Sequence, residues 1–303
     1  MKKLKNRFKD FLNRLPYVRT LHKLNSNSKF PAGHFYSSVV SLEDIKQRQD
    51  EIWVSELEEN IPGININKER QTELFHQFEK FYDEMDFPEN PVPEKRYFLN
   101  NSYYAYADGI ILYSFIRYLQ PKKITEIGSG YSSALMLDMN QTFFQNKINL
   151  TFIEPFPEVR LQSLFKDNDI TSVQLISKLV QKVPLKTFER LEKGDILFID
   201  SSHVVKTGSD VHYILNKILP ILKKGVIIHF HDIQFPFEYP KSWVLNGFGW
   251  NETYFLKAFL MYNTSFDILI FSDYLNKFHN HLFSKMPLSA KATGSSFWME
   301  KTK

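Results

Sequence analysis

The sequence contains no cysteine. Disulfides, thiolate metal centres and a cysteine nucleophile are thereby excluded. No uninterrupted apolar run is long enough to cross a bilayer. The first residues lack the apolar core and small-residue cleavage site of a secretory signal, so a cytoplasmic enzyme or binding protein is expected. Basic charge is scarce where a nucleic acid would need it. The formal net charge is +4, yet residues 1–24 hold eight of the 38 Lys and Arg and only one of the 34 acids, Asp10. The rest of the chain carries 30 basic against 33 acidic residues, which leaves no basis for a nucleic-acid groove. Internal repeats and low-complexity tracts are also missing.

What is present is a chain of 303 residues, enough for one large α/β domain with extensions or two modest ones. Phenylalanine (28) and tyrosine (15) are abundant, which suits a Phe-rich core or aromatic-lined clefts. In residues 1–24, Leu4, Phe8, Phe11, Leu12 and Leu15 recur at helical spacing among Lys, Arg and Asn. Such a basic amphipathic leader fits contact with an anionic membrane surface; the plainer alternative is a helix docked on its own protein. Residues 25–95 read as an extension or strap, irregular except for a helix over 68–85 and Pro-rich at "DEMDFPENPVPEKRYF". The main domain is expected over residues 96–303.

From about residue 103 the pattern becomes regular. "YYAYADGIILYSFIRYL" predicts a helix and "KITEIGSG" a strand ending in a glycine turn. Helices are predicted over 132–143, 157–167, 185–192, 208–222 and 251–262. Strands are predicted at "INLTFIEP", "SVQLIS", "DILFIDSSH", "GVIIHFHD", "FDILIFSDYL" and "SSFWMEK". Alternating strands and helices imply a parallel sheet with helices on both faces. The last two strands lack a long helical pattern between them, so a loop is expected there and one of the two should be antiparallel.

In open α/β sheets, ligands bind beyond the carboxyl ends of the strands. Polar residues gather at four such ends: Glu126-Ile-Gly128-Ser-Gly130, Glu154, Asp200-Ser-Ser-His203 and His231-Asp232. Any one alone could be a cap or a turn residue. Gly128 and Gly130 allow a ligand close to the backbone where the next helix begins. A dinucleotide fingerprint wants a third small residue, usually Gly or Ala, where Ser133 stands. Glu126 would repel a pyrophosphate but attract a cationic ligand such as S-adenosylmethionine. Glu154 can accept hydrogen bonds from the two hydroxyls of an adenosine ribose.

The stretches "ITEIGSGYSSALML", "FIEP", "GDILFIDSSHVVKTGSDVHYILNKILPILKKGVIIHFHD" and "SSFWMEK" resemble class I S-adenosylmethionine-dependent methyltransferases, within a bacterial methyltransferase-24-like subfamily. The resemblance covers roughly residues 95–303 and is strongest over 122–155 and 194–240. It implies a Rossmann-like, seven-stranded, mostly parallel sheet with an antiparallel last strand. It also implies that Glu126, Gly128, Gly130 and Ser132 hold the methionine end of the cofactor, that Glu154 holds the ribose, and that Asp200 lies beside the transferring methyl.

"VIIHFHDIQFPFEYP" raises a separate question, since it ends a greasy strand in two histidines and an acid. Side chains alternate along a strand, so His229 and His231 share one face, and Phe230 and Asp232 the other. His229 lies deeper and reads as a core histidine; His231 and Asp232 sit at the tip. Methyl transfer needs alignment above all, but a hydroxyl acceptor must also lose its proton. Two devices answer that need. His203 or His231 can serve as general base, with an imidazole pKa suited to neutral pH. Alternatively, a divalent metal on Asp200, His231 and Asp232 can acidify the hydroxyl. Relatives in the broad fold class bind magnesium through carboxylates at these two tips; imidazole at the third position suits zinc, iron or manganese better. The aromatic stretch "DIQFPFEYPKSWVLNGFGWNETY" could cover a substrate or pack on the core, and chain order suggests that Tyr104, Asp108 and the His34-Phe-Tyr36 segment reach the same cleft.

The expected activity is S-adenosylmethionine-dependent methyl transfer to oxygen, or to nitrogen, of a small polar acceptor such as a sugar or hydroxylated metabolite. The rivals are a nucleotide-cofactor oxidoreductase on a similar sheet and a non-catalytic adenosine-ligand binding module.

Overall fold

A computed structural model describes residues 11–12, 15–18, 20, 28–166 and 169–303. Within the basic leader, Leu4 and Phe8 lie outside the described residues, while Phe11 and Leu15 are exposed. No helix among the described residues is long and apolar enough to cross a membrane.

The chain divides into two compact units. The smaller comprises the described residues up to Glu56 together with Lys241–Gly249. It contains helix α1 (Leu42–Gln47), begun by Ser41, whose hydroxyl accepts the Asp44 N–H at 3.2 Å. The larger comprises Leu57–Pro240 and Trp250–Lys303. The boundary expected near residue 95 therefore falls inside the larger unit, and the aromatic stretch after His231 is divided between the two.

The larger unit is built on one seven-stranded sheet: β1 (Lys123–Ile127), β2 (Asn149–Ile153), β3 (Gln174–Ile176), β4 (Ile196–Ile199), β5 (Ile227–Phe230), β6 (Phe266–Phe271) and β7 (Phe297–Lys301). Their order is β3-β2-β1-β4-β5-β7-β6. Strands β1 to β5 pair in parallel, and β7 runs antiparallel to both β5 and β6. All four residues of β4 and of β5 are buried, as expected of strands covered on both faces. The chain leaves β1 for β2 on one side and later returns to β4 on the other. The crevice beyond the carboxyl ends of β1 and β4 is thus a topological switch point.

The principal helices are α2 (Lys68–Tyr82), α3 (Tyr106–Leu119), α4 (Tyr131–Phe144), α5 (Glu252–Leu260) and α6 (Ser272–His279). Helix α2 belongs to the sheet because it seals the β6 edge. Gln71, fully buried, accepts the Phe271 N–H at 2.8 Å and donates to Ile66 O at 2.6 Å. Asn67 donates to Ile268 O at 3.1 Å. Edge groups that would otherwise invite another strand are satisfied this way.

Three elements differ from the sequence pattern. The helix expected over 157–167 is only a turn, Leu161–Leu164. The stretch over 208–222 changes pitch, with α-helix at Asp210–Tyr213, π-helix at Ile214–Ile218 and 3-10 helix at Leu219–Ile221. Pro220 lacks the N–H that an α-helix would bond back to Asn216. Between β6 and β7 the chain is helical rather than looped. Helix α6 is followed by 3-10 turns at Asn280–Lys285 and Pro287–Ala290. The apolar run of β6 continues into Tyr274 and Leu275, which are buried from the helix rather than from a strand, so the junction is invisible to a period-2 reading.

One buried ion pair anchors the segment before α3. Arg96 donates to both Asp169 oxygens at 2.6 Å and to Asp138 of α4 at 2.6 Å. The second Asp138 oxygen accepts the N–H groups of Arg96 and Tyr97 at 2.8 and 2.9 Å. Removing Asp138 would leave Arg96 with Asp169 alone and take the acceptor from two backbone N–H groups. Asp138→Ala is expected to cost about 3–5 kcal/mol in urea unfolding; a loss under about 1 kcal/mol would contradict the pair's structural role.

Candidate active site

The floor of the crevice is the turn after β1. Gly128 has φ 80°, and a Cβ there would lie 1.7 Å from the carbonyl oxygen of Asp200. Only glycine fits, because the β1 and β4 tips touch at this point. Glu126, one turn deeper, is fully buried. Its carboxyl accepts from Ser132 Oγ at 2.6 Å and, more closely, from Ser133 Oγ. Ser133 Oγ also accepts the Gly130 N–H at 3.0 Å, so the carboxyl, two hydroxyls and the loop backbone form one hydrogen-bonded cluster at the start of α4. Burial pushes the Glu126 carboxyl up to about 8, partly offset by the two serine hydroxyls.

Beside this turn lies a cavity of about 390 Å³ bordered by Gly128, Glu154, Val180, Asp200 and Ser201. Glu154 is half-buried at the tip of β2. One of its oxygens accepts the Ser129 N–H at 3.1 Å and the other the Phe156 N–H at 2.8 Å. A carboxylate oxygen can accept more than one bond, so both retain capacity toward the cavity.

The tips of β4 and β5 bring four sequence-predicted residues together. His203 Nε2 is 3.4 Å from Asp200 Oδ1 and 3.6 Å from Asp232 Oδ2. His231 Nδ1 is 3.7 Å from Asp200 Oδ1 and 3.6 Å from Asp232 Oδ2. His203 and Asp232 both hold left-handed backbone, with φ 58° and 59°, a conformation costing about 1–2 kcal/mol for a non-glycine residue. Strain of this kind is retained where the surroundings fix it. Here Asn251 N–H and Glu252 N–H both donate to His203 O, at 3.0 and 3.1 Å, and Ser295 Oγ donates to Asp232 Oδ1 at 3.0 Å.

Two further carboxylates complete the cluster. Glu252 opens α5 and lies 2.8 Å from His203 Nδ1, with both side chains buried. Asp108 of α3 lies 3.5 Å from His231 Nε2 and accepts the Ser295 N–H at 2.9 Å. The Tyr104 ring stands 5.0 Å from the His231 ring, so the reach of Tyr104 and Asp108 into this cleft agrees with chain order. Glu252 was missed; it is 49 positions from His203, and in the sequence it reads only as an acid in a helix's first turn.

The electrostatics follow from these contacts. Burial would raise the Asp200 carboxyl, but His231 and His203 outweigh it and hold Asp200 well below the usual carboxylate range. Burial would lower His203; hydrogen bonding to Asp200 and Glu252 reverses that and lifts it to about 10. His231 is likewise raised, by Asp232 and Asp200 against its burial. His229 behaves as the core histidine its position predicts. It is fully buried, stacks on Phe198 at 3.9 Å, and is pushed well below 6.5 by burial and by the neighbouring His231.

Asp200, His231 and Asp232 each offer a donor atom within 4.8 Å of the others. Both His231 ring nitrogens are buried without a hydrogen-bond partner. A buried imidazole left unbonded in this way fits a metal ligand whose other nitrogen faces a carboxylate, here Asp108.

A family model described as a methyltransferase domain, methyltransferase-24, matches residues 125–233. An uncharacterised protein of Archaeoglobus fulgidus is 34% identical over 171 residues, 55% of this chain and 76% of that protein. The chain belongs to the class I S-adenosylmethionine-dependent methyltransferases. Similarity to solved structures is more distant. The SAH-bound Podospora anserina methyltransferase PaMTH1 has a TM-score of 0.43 at 17% identity, covering 91% of this chain and 99% of that one. The O-methyltransferase TomG of Streptomyces achromogenes, in complex with SAM, has a TM-score of 0.42 at 16% identity, covering 86% and 96%.

In this methyltransferase the expected cofactor residues surround one crevice, but they do not all face it. Gly128, Glu154 and Asp200 border the cavity. Glu126 and Ser132 are buried and bonded to each other, so the Glu126 carboxyl is not presented to a ligand; its observed contacts order the turn instead. Because Glu126 is raised from 4.5 to about 8, the folded state holds a proton that the unfolded state releases between those values. Stability should therefore fall as pH rises from about 4.5 to 8, by at most about 5 kcal/mol. In Glu126→Gln that slope should vanish in urea titrations across the same pH range; an unchanged slope would assign it to another group.

Proposed function

We propose that this methyltransferase transfers the methyl group of S-adenosylmethionine to a hydroxyl of a small polar acceptor, such as a sugar or a hydroxylated metabolite. The observation that carries this reading is the ring of carboxylates and imidazoles at the β4 and β5 tips, adjoining the cavity through Asp200. Simple alignment of an already nucleophilic amine would not call for so many proton-binding groups. Family membership sets aside the nicotinamide oxidoreductase that the bare sheet also allowed.

Glu154 is suited to the ribose hydroxyls and Asp200 to the cationic sulfonium end. His203 is the candidate general base. Glu252 fixes its ring through Nδ1, leaving Nε2 directed toward Asp200 and Asp232. Hydrogen bonding to Asp200 and Glu252 favours the protonated form of His203. A sulfonium beside Asp200 offsets part of that carboxylate's charge and so lowers His203 toward the neutral form that can accept a proton. The donor set of Asp200, His231 and Asp232 also suits a divalent cation of the manganese, iron or zinc type, which when bound would act as a Lewis acid on the acceptor oxygen.

A panel of hydroxylated and amine acceptors, assayed with labelled methyl donor, tests the reading. Methylated oxygen is expected. His203→Ala should lower kcat by about 10²–10⁴-fold with little change in cofactor affinity. For the wild type, kcat/KM should climb with pH toward the free-enzyme value near 10, whereas kcat, which reports the cofactor-bound site, should level off at lower pH. Exclusive methylation of amines, or a His203→Ala enzyme of full activity, would overturn the hydroxyl-directed reading.

A further inference from the structure

Arg160 lies across the glycine turn. A Cβ placed on Gly130 would meet its Cδ at 3.1 Å and its Nη1 at 3.4 Å. Its guanidinium stacks over the Tyr103 ring at 3.7 Å from the centroid. Tyr103 is itself stacked on Tyr131, the first residue of α4, with ring centres 5.7 Å apart, and Phe98 meets the other edge of Tyr131 at 5.6 Å. The guanidinium is therefore held in place by ring stacking, which occupies its face and leaves its N–H fork free. Among the described residues it makes no ion pair with a carboxylate, although Glu154 and Glu158 are close in sequence. Helix α4 starts beside it with no acid in the first turn, so the positive end of the helix dipole adds to the same charge.

We infer that Arg160 is the binding residue for a ligand carboxylate, namely the α-carboxylate of the cofactor's amino-acid end. The inference rests on the cofactor reading above. With the adenosine in the cavity bordered by Glu154 and Val180 and the sulfur toward Asp200, the amino-acid chain is left to run past Gly128 and Gly130. That path leads to two features that suit an anion, a stacked guanidinium and the N-terminus of α4. Planar, forked donors match a carboxylate in a bidentate manner that lysine cannot reproduce. The Tyr103 ring would then serve two purposes, holding the guanidinium and screening the ion pair from water.

The test is calorimetric titration of the full-length protein and its Arg160→Ala and Arg160→Lys variants with three ligands. S-adenosylhomocysteine carries the carboxylate. Its decarboxylated analogue keeps the ammonium and lacks the carboxylate. 5′-Methylthioadenosine lacks the whole amino-acid end. Arg160→Ala should weaken S-adenosylhomocysteine by about tenfold or more, and Arg160→Lys should recover part of it. The other two ligands should bind wild type and variants alike, which also shows that the variants are folded. Equal weakening of all three ligands, or none, would overturn the inference while leaving the cofactor reading intact. Failure of the wild type to bind any of the three would overturn both.

Discussion

An acid at the junction of two strand tips needs positive charge around it, and Asp200 organises the site through that need. Its backbone oxygen presses so closely on Gly128 that no side chain fits there. Its carboxylate draws two imidazoles, His203 and His231, to within 3.4 and 3.7 Å. Each imidazole carries a second carboxylate on its far side, Glu252 for one and Asp108 for the other. The result is an alternating arrangement of negative and positive groups supplied by α3, β4, β5 and α5. In a medium of low dielectric such an arrangement holds only if complete, because each unpaired charge would be costly.

Asp200 also belongs to the cavity wall, and under the proposed function this double membership would link cofactor to chemistry. A cation arriving at the cavity changes the charge felt by His203 and His231, so occupancy of one part of the site alters proton affinity in the other. The rigid pieces lie beneath: Glu126 with its two serines locks the turn, and Arg96 with Asp138 and Asp169 fixes the approach to α3.

Much of this was legible in the sequence because strand ends leave local marks. "EIGSG", "FIEP", "FIDSSH" and "HFHD" each finish an apolar run in polar residues, and the sheet brings those ends side by side. Side-chain direction was harder to read. Glu126 has the right type and spacing for a cation partner, but it points inward beneath the turn, where Ser132 and Ser133 take both oxygens. Glu252 and Arg160 carry no local mark, since their partners lie far along the chain or are aromatic rings. The α6 junction and the uneven 210–221 helix were hidden for a different reason. A buried strand and a buried helix end look alike over a few apolar residues, and Pro220 sets a local pitch that periodicity averages away.

On the proposed function, Asp200 joins the cofactor cavity to the proton-binding cluster. A crystal structure with S-adenosylhomocysteine bound would test it most directly. The ribose hydroxyls should lie on Glu154 and the sulfur at the Asp200 end of the cavity, facing His203 and His231. A ligand bound in the reverse sense, or with its sulfur directed away from Asp200, would contradict it.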